Sequence, residues 1–237
     1  MEIVLINLAV LSGTMVQGAV GFGFALVAAP VLMVLQPNLV PGPITLAGLL
    51  LSFSMAYRER KSIQFKSLLQ LFVGFIPGLF LGATLLTTLS SRTLSLLFGL
   101  LVLLAVLLSL ARLPLPEKSL LATLPAGILS GIMNITTSMG GPPVALLFQN
   151  EPGPRFRGTL ALFFFLGSLM TLMGLNQIGK MGEAELWEGV ALVPAVVVGL
   201  LLAQPAACWL DQGKTRQGVL TMATLSGIGV ILKALWE

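Results

Sequence analysis

The chain has 237 residues, of which 56% are hydrophobic and only 9% are charged. Soluble domains carry roughly 25% charged residues, so this composition excludes a soluble protein and predicts an integral membrane protein. A formal net charge of +4 would suggest a nucleic-acid partner in a soluble protein. Here the basic residues fall in predicted loops, where they set topology and face lipid headgroups, so we expect membrane lipid and no nucleic acid as a partner.

The first half of the chain is predicted to contain four apolar elements. Residues 3–57 form one run without Asp, Glu, Lys or Arg, far longer than the about 20 residues that cross a bilayer core. The proline-rich turn from Pro37 to Pro43 divides this run. The predicted elements of residues 1–115 are a broken segment over 3–36 and helices over 40–57, 67–88 and 93–111.

The second half repeats this order. Its long uncharged run, residues 119–150, contains Gly140-Gly141-Pro142-Pro143, which predicts a helix break like the one that Gly21-Phe22-Gly23 predicts in the first half. The predicted elements of residues 116–237 are a broken segment over 119–150 and helices over 158–176, 187–206 and 215–236.

Short motifs recur between the halves at a nearly constant offset. Ser12-Gly13-Thr14-Met15 returns as Ser130-Gly131-Ile132-Met133, 118 positions later, and Gly23 returns as Gly141 at the same offset. The pair Pro77 and Gly82 returns as Pro194 and Gly199 at an offset of 117. We infer an internal duplication, in which paired interrupted segments are the best sequence pointer to a transport site.

The broken segments either cross the membrane or re-enter from one side. Eight crossings would place 8 of the 13 Lys and Arg residues in cytoplasmic loops, whereas two re-entrant hairpins would place 10 there. Short cytoplasmic loops collect positive charge, which favours the hairpins. The ten are Arg58, Arg60, Lys61, Lys66, Arg112, Lys118, Arg155, Arg157, Lys214 and Arg216.

Arm length also favours hairpins, because residues 3–16 would rise about 21 Å as a helix, short of a roughly 30 Å core. A hairpin plus three crossings gives each half an odd number of crossings. The second half would therefore lie inverted in the membrane relative to the first. The predicted fold class is an all-α polytopic membrane protein of two inverted repeats, with eight continuous spans as the alternative.

The two breaks are the candidate binding site. Half-helix N-termini after Gly23 and Gly141 would present amide donors and positive dipole ends to an anion. Uncharged polar side chains near the breaks could add hydrogen bonds, although such groups also bond back to helix carbonyls without any ligand. The predicted substrate-binding residues are Gln17, Gly21, Phe22, Gly23, Asn134, Thr136, Thr137, Ser138, Gly140 and Gly141.

The residue inventory argues against catalysis. There is no histidine and one cysteine, Cys208, and all nine acidic residues lie at the ends or in predicted loops. We therefore expect no catalytic residues, no metal, no cofactor and no proton relay of side chains. Any coupling would use the substrate's proton or another ion. Arg157, just after the second break, is interpreted as an interfacial anchor.

These motifs resemble the sulfite exporter TauE/SafE family of membrane permeases. The resemblance rests on Gly21-Phe22-Gly23 followed by Pro30, on Ser138 to Pro143, and on Phe156-Arg157-Gly158 and the apolar helix after it. The resemblance covers essentially the whole chain. It implies a carrier of sulfite, sulfonates or related small anions in a bacterial or archaeal inner membrane, with the glycine-rich segments forming the substrate path.

The sequence departs from the family pattern at Phe22 and Phe24, where many members have more glycine. This difference favours a narrower path, or an organic anion over sulfite. Two alternatives stay open, a channel-like anion pore and a structural membrane protein without transport. A homodimer is also an open alternative, and the sequence does not fix the direction of transport.

Overall fold

The computed structural model describes residues 1–110, 119–149, 151–210 and seven positions between 221 and 232. All regular structure in these residues is helical. The helices are α1 Glu2–Val20, α2 Phe24–Leu35, α3 Gly42–Arg58, α4 Phe65–Thr88, α5 Ser91–Leu110, α6 Leu120–Thr137, α7 Gly141–Phe148, α8 Gly153–Gln177 and α9 Glu183–Leu210. The predicted helix over 215–236 lies mostly outside the described residues.

The helices have the length and the surface of membrane helices. Five of them, α1, α4, α6, α8 and residues 183–203 of α9, are long and apolar enough to cross a bilayer. One face of α4 exposes a continuous apolar stripe, in which Phe65, Leu69, Val73 and Phe80 are each at least 60% exposed. Such a stripe suits contact with lipid, and the prediction of an all-α polytopic membrane protein is confirmed.

The chain turns back on itself at the first break. Gly21 and Gly23 have φ angles of 109° and 117°, a conformation that glycine adopts without steric cost. The Phe24 amide then reaches the side chain of Gln17, and a Cβ placed on Gly13 would lie 2.5 Å from the Phe24 carbonyl oxygen. Helices α1 and α2 therefore form a tight hairpin.

The second break, between α6 and α7, reverses the chain in the same way. The Ser130 hydroxyl of α6 donates to the Gly140 carbonyl. A Cβ on Gly140 would lie 2.6 Å from the Ser130 carbonyl oxygen and 3.0 Å from Asn134 Cβ. This hairpin is closed by contact between backbones, so the small residues at its tip are required for its geometry.

The first arm of the first hairpin is longer than the sequence suggested. Helix α1 has 19 residues, about 28 Å at 1.5 Å per residue, rather than the about 21 Å expected for residues 3–16. The helix continues because Gln17 to Val20 keep helical geometry and the chain breaks only where Gly21 takes a positive φ. The second arms, with 12 and 8 residues, reach only part of the way across a bilayer core.

Helix pairing links the two halves of the chain. Helix α6 packs along α4, α1 packs along α9, and α3 packs along α8. The α4–α6 contact brings backbones together at Gly74, Gly78 and Gly82, as small residues allow in membrane helices. In the other pair, a Cβ on Gly199 of α9 would lie 2.7 Å from Thr14 Cβ of α1.

The buried apolar residues form two cores with corresponding helices. One core is built mainly from α1, α2, α3 and α9, and the other mainly from α4, α7 and α8, with Ile135 of α6. In the predicted repeat, helices α1 to α4 of the first half correspond to α6 to α9 of the second half. The two cores are therefore built from largely corresponding helices. The two predicted repeats, residues 1–115 and 116–237, and their inversion in the membrane stay predictions.

Candidate functional site

A small cavity lies where the two helix breaks meet. Its volume is about 40 Å³, room for about three water molecules. Phe22 and Gly23 line it from the first break, and Gly141 lines it from the second. The breaks touch there, since a Cβ on Gly141 would lie 3.6 Å from Phe22 Cδ2. Its polar lining residues are Gln17, Thr45, Ser52, Asn134, Ser138 and Ser168.

Each half contributes a buried carboxamide held by a hydroxyl. Gln17 of α1 is 6% exposed, and its Nε2 donates to Ser52 Oγ at 3.4 Å. Asn134 of α6 is 8% exposed, and its Nδ2 donates to Thr171 Oγ1 at 2.8 Å. A carboxamide nitrogen has two hydrogens, so each can keep its hydroxyl partner and donate a second hydrogen bond into the cavity.

Gln17 also ties the first break to the helix that follows it. Its Oε1 accepts a hydrogen bond of 3.2 Å from the Phe24 amide, one of the amides at the start of α2 that have no partner within the helix. The next residue, Ala25, lines the cavity. The positive end of the α2 dipole is thereby directed at the cavity.

The N-terminus of α7, at the second break, has fewer free backbone amides than an ordinary helix N-terminus. Helix α7 begins with Gly141, Pro142 and Pro143, and proline has no N–H. The Gly141 amide is therefore the main backbone donor at this end, and side chains must supply more of the hydrogen bonds. The α7 dipole still has its positive end here.

Ser138 is held in an unusual conformation at the second break. Its φ of 64° is the one positive φ at a non-glycine residue in the described part of the chain, which costs about 1–2 kcal/mol. The Ser138 hydroxyl lies 2.6 Å from Thr45 Oγ1 and 2.9 Å from the Pro41 carbonyl oxygen. These contacts fix the break against α3, and strain of this kind is common at functional sites.

Ser168 of α8 is a polar lining residue that sequence reasoning missed. It is 7% exposed, it lines the cavity, and it has no hydrogen-bond partner within the described residues. Other helix hydroxyls, such as those of Thr14 and Ser54, bond to the carbonyl four residues earlier. The Ser168 hydroxyl is therefore free to bind a ligand.

Helix α3 supplies the other lining residues that were missed. Thr45, Gly48 and Ser52 all line the cavity, and their spacing of three and four residues places them on one helix face. This spacing is a signal present in the sequence. It points to a site only with the knowledge that this face of α3 meets the two breaks.

The structure brings together six of the ten predicted site residues, namely Gln17, Phe22, Gly23, Asn134, Ser138 and Gly141. Thr136 and Thr137 lie elsewhere, because their hydroxyls bond to carbonyls of α6 itself. Gly140 packs against Ser130. Gly21 lies beside Phe156 and Arg157, since a Cβ there would come within 3.1 Å of both side chains.

Arg157 lies beneath the first break rather than at a lipid interface. It is 9% exposed, and its Nε lies 3.5 Å from Glu59 Oε1. The same carboxylate oxygen lies 3.4 Å from Arg58 Nε, and Arg58 donates to the Gly18 carbonyl. These contacts hold Arg58 and Arg157 beside the first hairpin.

The chemistry of the cavity is that of a neutral hydrogen-bonding site. None of the described residues that line it carries a charge. No group of three or more His, Cys, Asp or Glu side chains among the described residues could hold a metal ion. Hydroxyls, carboxamides and helix dipoles can surround an anion, and aromatic rings from Phe22, Phe24 and Phe164 line the rest of the cavity.

The chain matches a known protein family. A family model described as sulfite exporter TauE/SafE matches residues 5–230, nearly the entire chain. No curated protein and no solved structure matches the chain.

Proposed function

This chain belongs to the sulfite exporter TauE/SafE family, and on that premise we propose that it is a secondary transporter for a small sulfur-containing or organic anion, such as sulfite or a sulfonate. The family is one of membrane anion transporters. We place the protein in a bacterial or archaeal inner membrane and the substrate at the two converging helix breaks.

The position of the cavity is the main observation that supports this binding site. The cavity lies between the two breaks, and both halves contribute a buried carboxamide to it, Gln17 from the first and Asn134 from the second. Irregular backbone at membrane depth is tolerated where it faces protein or a water-filled cavity. A cavity at this place, lined by hydrogen-bond donors, has the properties that an anion passing between the halves requires.

The helix pairing supports an alternating-access mechanism. Each hairpin packs against a helix of the other half, α1 against α9 and α6 against α4. In this proposal the two cores, each built from helices of both halves, move relative to each other about the α3–α8 contact, so that the cavity opens to one side of the membrane at a time. The strained Ser138, bonded to Thr45 of α3, couples the second break to that contact.

We expect saturable sulfite uptake by proteoliposomes that contain the purified protein, together with exchange of external for internal sulfite. A carrier binds its substrate in every cycle, so the initial rate should level off as the concentration rises. Protein-free liposomes of the same lipid composition are the control. Flux that rises linearly without exchange would favour a channel-like pore, and flux equal to that of empty liposomes would favour a structural protein.

Replacing Asn134 with alanine should weaken anion binding by about tenfold to a hundredfold, since a hydrogen bond to a charged group contributes about 1.5–3 kcal/mol. The apparent Kd for sulfite can be measured by titration calorimetry on the purified protein. Thr136→Val is the matched control, two residues away on α6, because the Thr136 hydroxyl bonds within its own helix. Equal affinities for both variants would contradict the role of Asn134.

A further inference from the structure

Two polar groups at the cavity have no hydrogen-bond partner within the described residues, and they can supply one donor and one acceptor to a ligand. Ser168, which is 7% exposed, has no hydrogen-bond partner within the described residues. Asn134 donates to Thr171 through Nδ2, but its carbonyl oxygen Oδ1 receives no hydrogen bond from any described residue. Because Asn134 and Ser168 both line the cavity, a fitting ligand both accepts hydrogen bonds and donates one.

The positive potential at the cavity matches a single negative charge. Helices α2 and α7 both begin at the wall of the cavity. Each helix N-terminus is equivalent to roughly half a positive elementary charge. Together they offset about one negative charge. No formal positive charge is added by the described lining residues.

A doubly charged anion would be poorly accommodated in such a cavity. The cost of removing an ion from water rises with the square of its charge, so a dianion costs about four times as much as a monoanion of the same size. The dianion would also bring only acceptor oxygens to Asn134 Oδ1. The monoanion of the same oxyacid has one O–H, which can donate to that oxygen.

Resting on the proposed function, we infer that this site binds a diprotic oxyanion only in its singly protonated, singly charged form, which for sulfite is hydrogen sulfite. The substrate thus carries a proton with it. Anions that are singly charged at every pH, such as alkylsulfonates, need no added proton to bind at the site.

Few charged groups lie on the helices around the cavity. On the helices that line it these groups are Glu2 of α1, Arg58 and Glu59 at the end of α3, and Arg155 and Arg157 of α8; α2, α6 and α7 carry none. The sequence contains no histidine. Histidine is the side chain that ordinarily changes charge between pH 5 and 8, and an anion with one fixed charge, tested over the same pH range, controls for every other group of the protein.

The test measures the apparent Kd of sulfite and of methanesulfonate for the purified protein by titration calorimetry, at pH values below and above the second pKa of sulfite. We expect the apparent Kd of sulfite to rise about tenfold per pH unit above that pKa, as the monoanion becomes scarce. The Kd of methanesulfonate, a monoanion throughout, should stay constant.

Each other outcome has a defined meaning. A sulfite Kd that is constant or falls with rising pH would overturn this inference and leave the proposed transport of sulfite intact. Parallel weakening of the binding of both anions would assign the effect to the protein and would also overturn this inference. Binding of neither anion at any pH would contradict the proposed function itself.

Discussion

Gly141→Leu should abolish sulfite flux while leaving a folded protein in the membrane. A Cβ on Gly141 would lie 3.4 Å from Phe164 Cζ and 3.6 Å from Phe22 Cδ2, which are ordinary van der Waals distances, so the backbone accommodates a side chain. The remaining carbons of leucine would then extend between two lining residues. Because the cavity has a volume of only about 40 Å³, they would fill the space that the anion needs.

The measurement is initial-rate sulfite uptake in proteoliposomes, normalised to the amount of reconstituted protein. Gly141→Ala is the matched control, since its single methyl group meets no atom closer than 3.4 Å, and it should keep most of the flux. A monodisperse gel-filtration profile would show that the leucine variant is folded. Wild-type flux in that folded variant would remove Gly141 and the cavity beside it from the substrate path.

The glycine patterns predict where the helices break because the backbone conformation depends on them. Gly21 and Gly23 both have positive φ angles, which few other residues adopt. At the second break the residue with the positive φ is Ser138, and no sequence rule singles out serine for that conformation. Its strain is supported by Thr45, 93 positions away, and such long-range contacts are not visible in one sequence.

The cluster of polar residues before the second break divides into two pairs, although the sequence analysis assigns all four residues to the site. Asn134 and Ser138 are four residues apart, so they share a face of α6, and both line the cavity. Thr136 and Thr137 fall on other faces and bond to their own helix. Helical periodicity within the cluster is enough to separate the two pairs from the sequence alone.

The location of Arg157 could not be predicted from the sequence. Its position near the start of an apolar helix is typical of an interfacial anchor, but the structure buries it beside Glu59, 98 positions earlier in the chain. Ser168 was missed because membrane helices contain many hydroxyls that bond to their own carbonyls. Only the packing of α8 against α3 shows that Ser168 faces a cavity.

Gly131→Ala should lower the stability of the protein by about 1–3 kcal/mol, the usual cost of overpacking a tight contact. Gly131 of α6 meets the backbone of α4, where an added Cβ would overlap the Phe75 carbonyl oxygen and lie 2.7 Å from the Leu79 amide nitrogen. These are backbone atoms inside a helix, so no side-chain rotation can relieve the overlap. The two helices must move apart.

This displacement should also affect transport, because Asn134 lies one turn further along α6 and depends on that helix for its position in the cavity. We therefore expect Gly131→Ala to show a lower thermal unfolding midpoint in detergent and a reduced sulfite flux, measured on the same preparation. Gly141→Ala, in the short arm of the same hairpin, controls for the loss of glycine flexibility. An unchanged midpoint for Gly131→Ala would mean that α4 and α6 do not meet backbone to backbone, and the arrangement of the second hairpin would need revision.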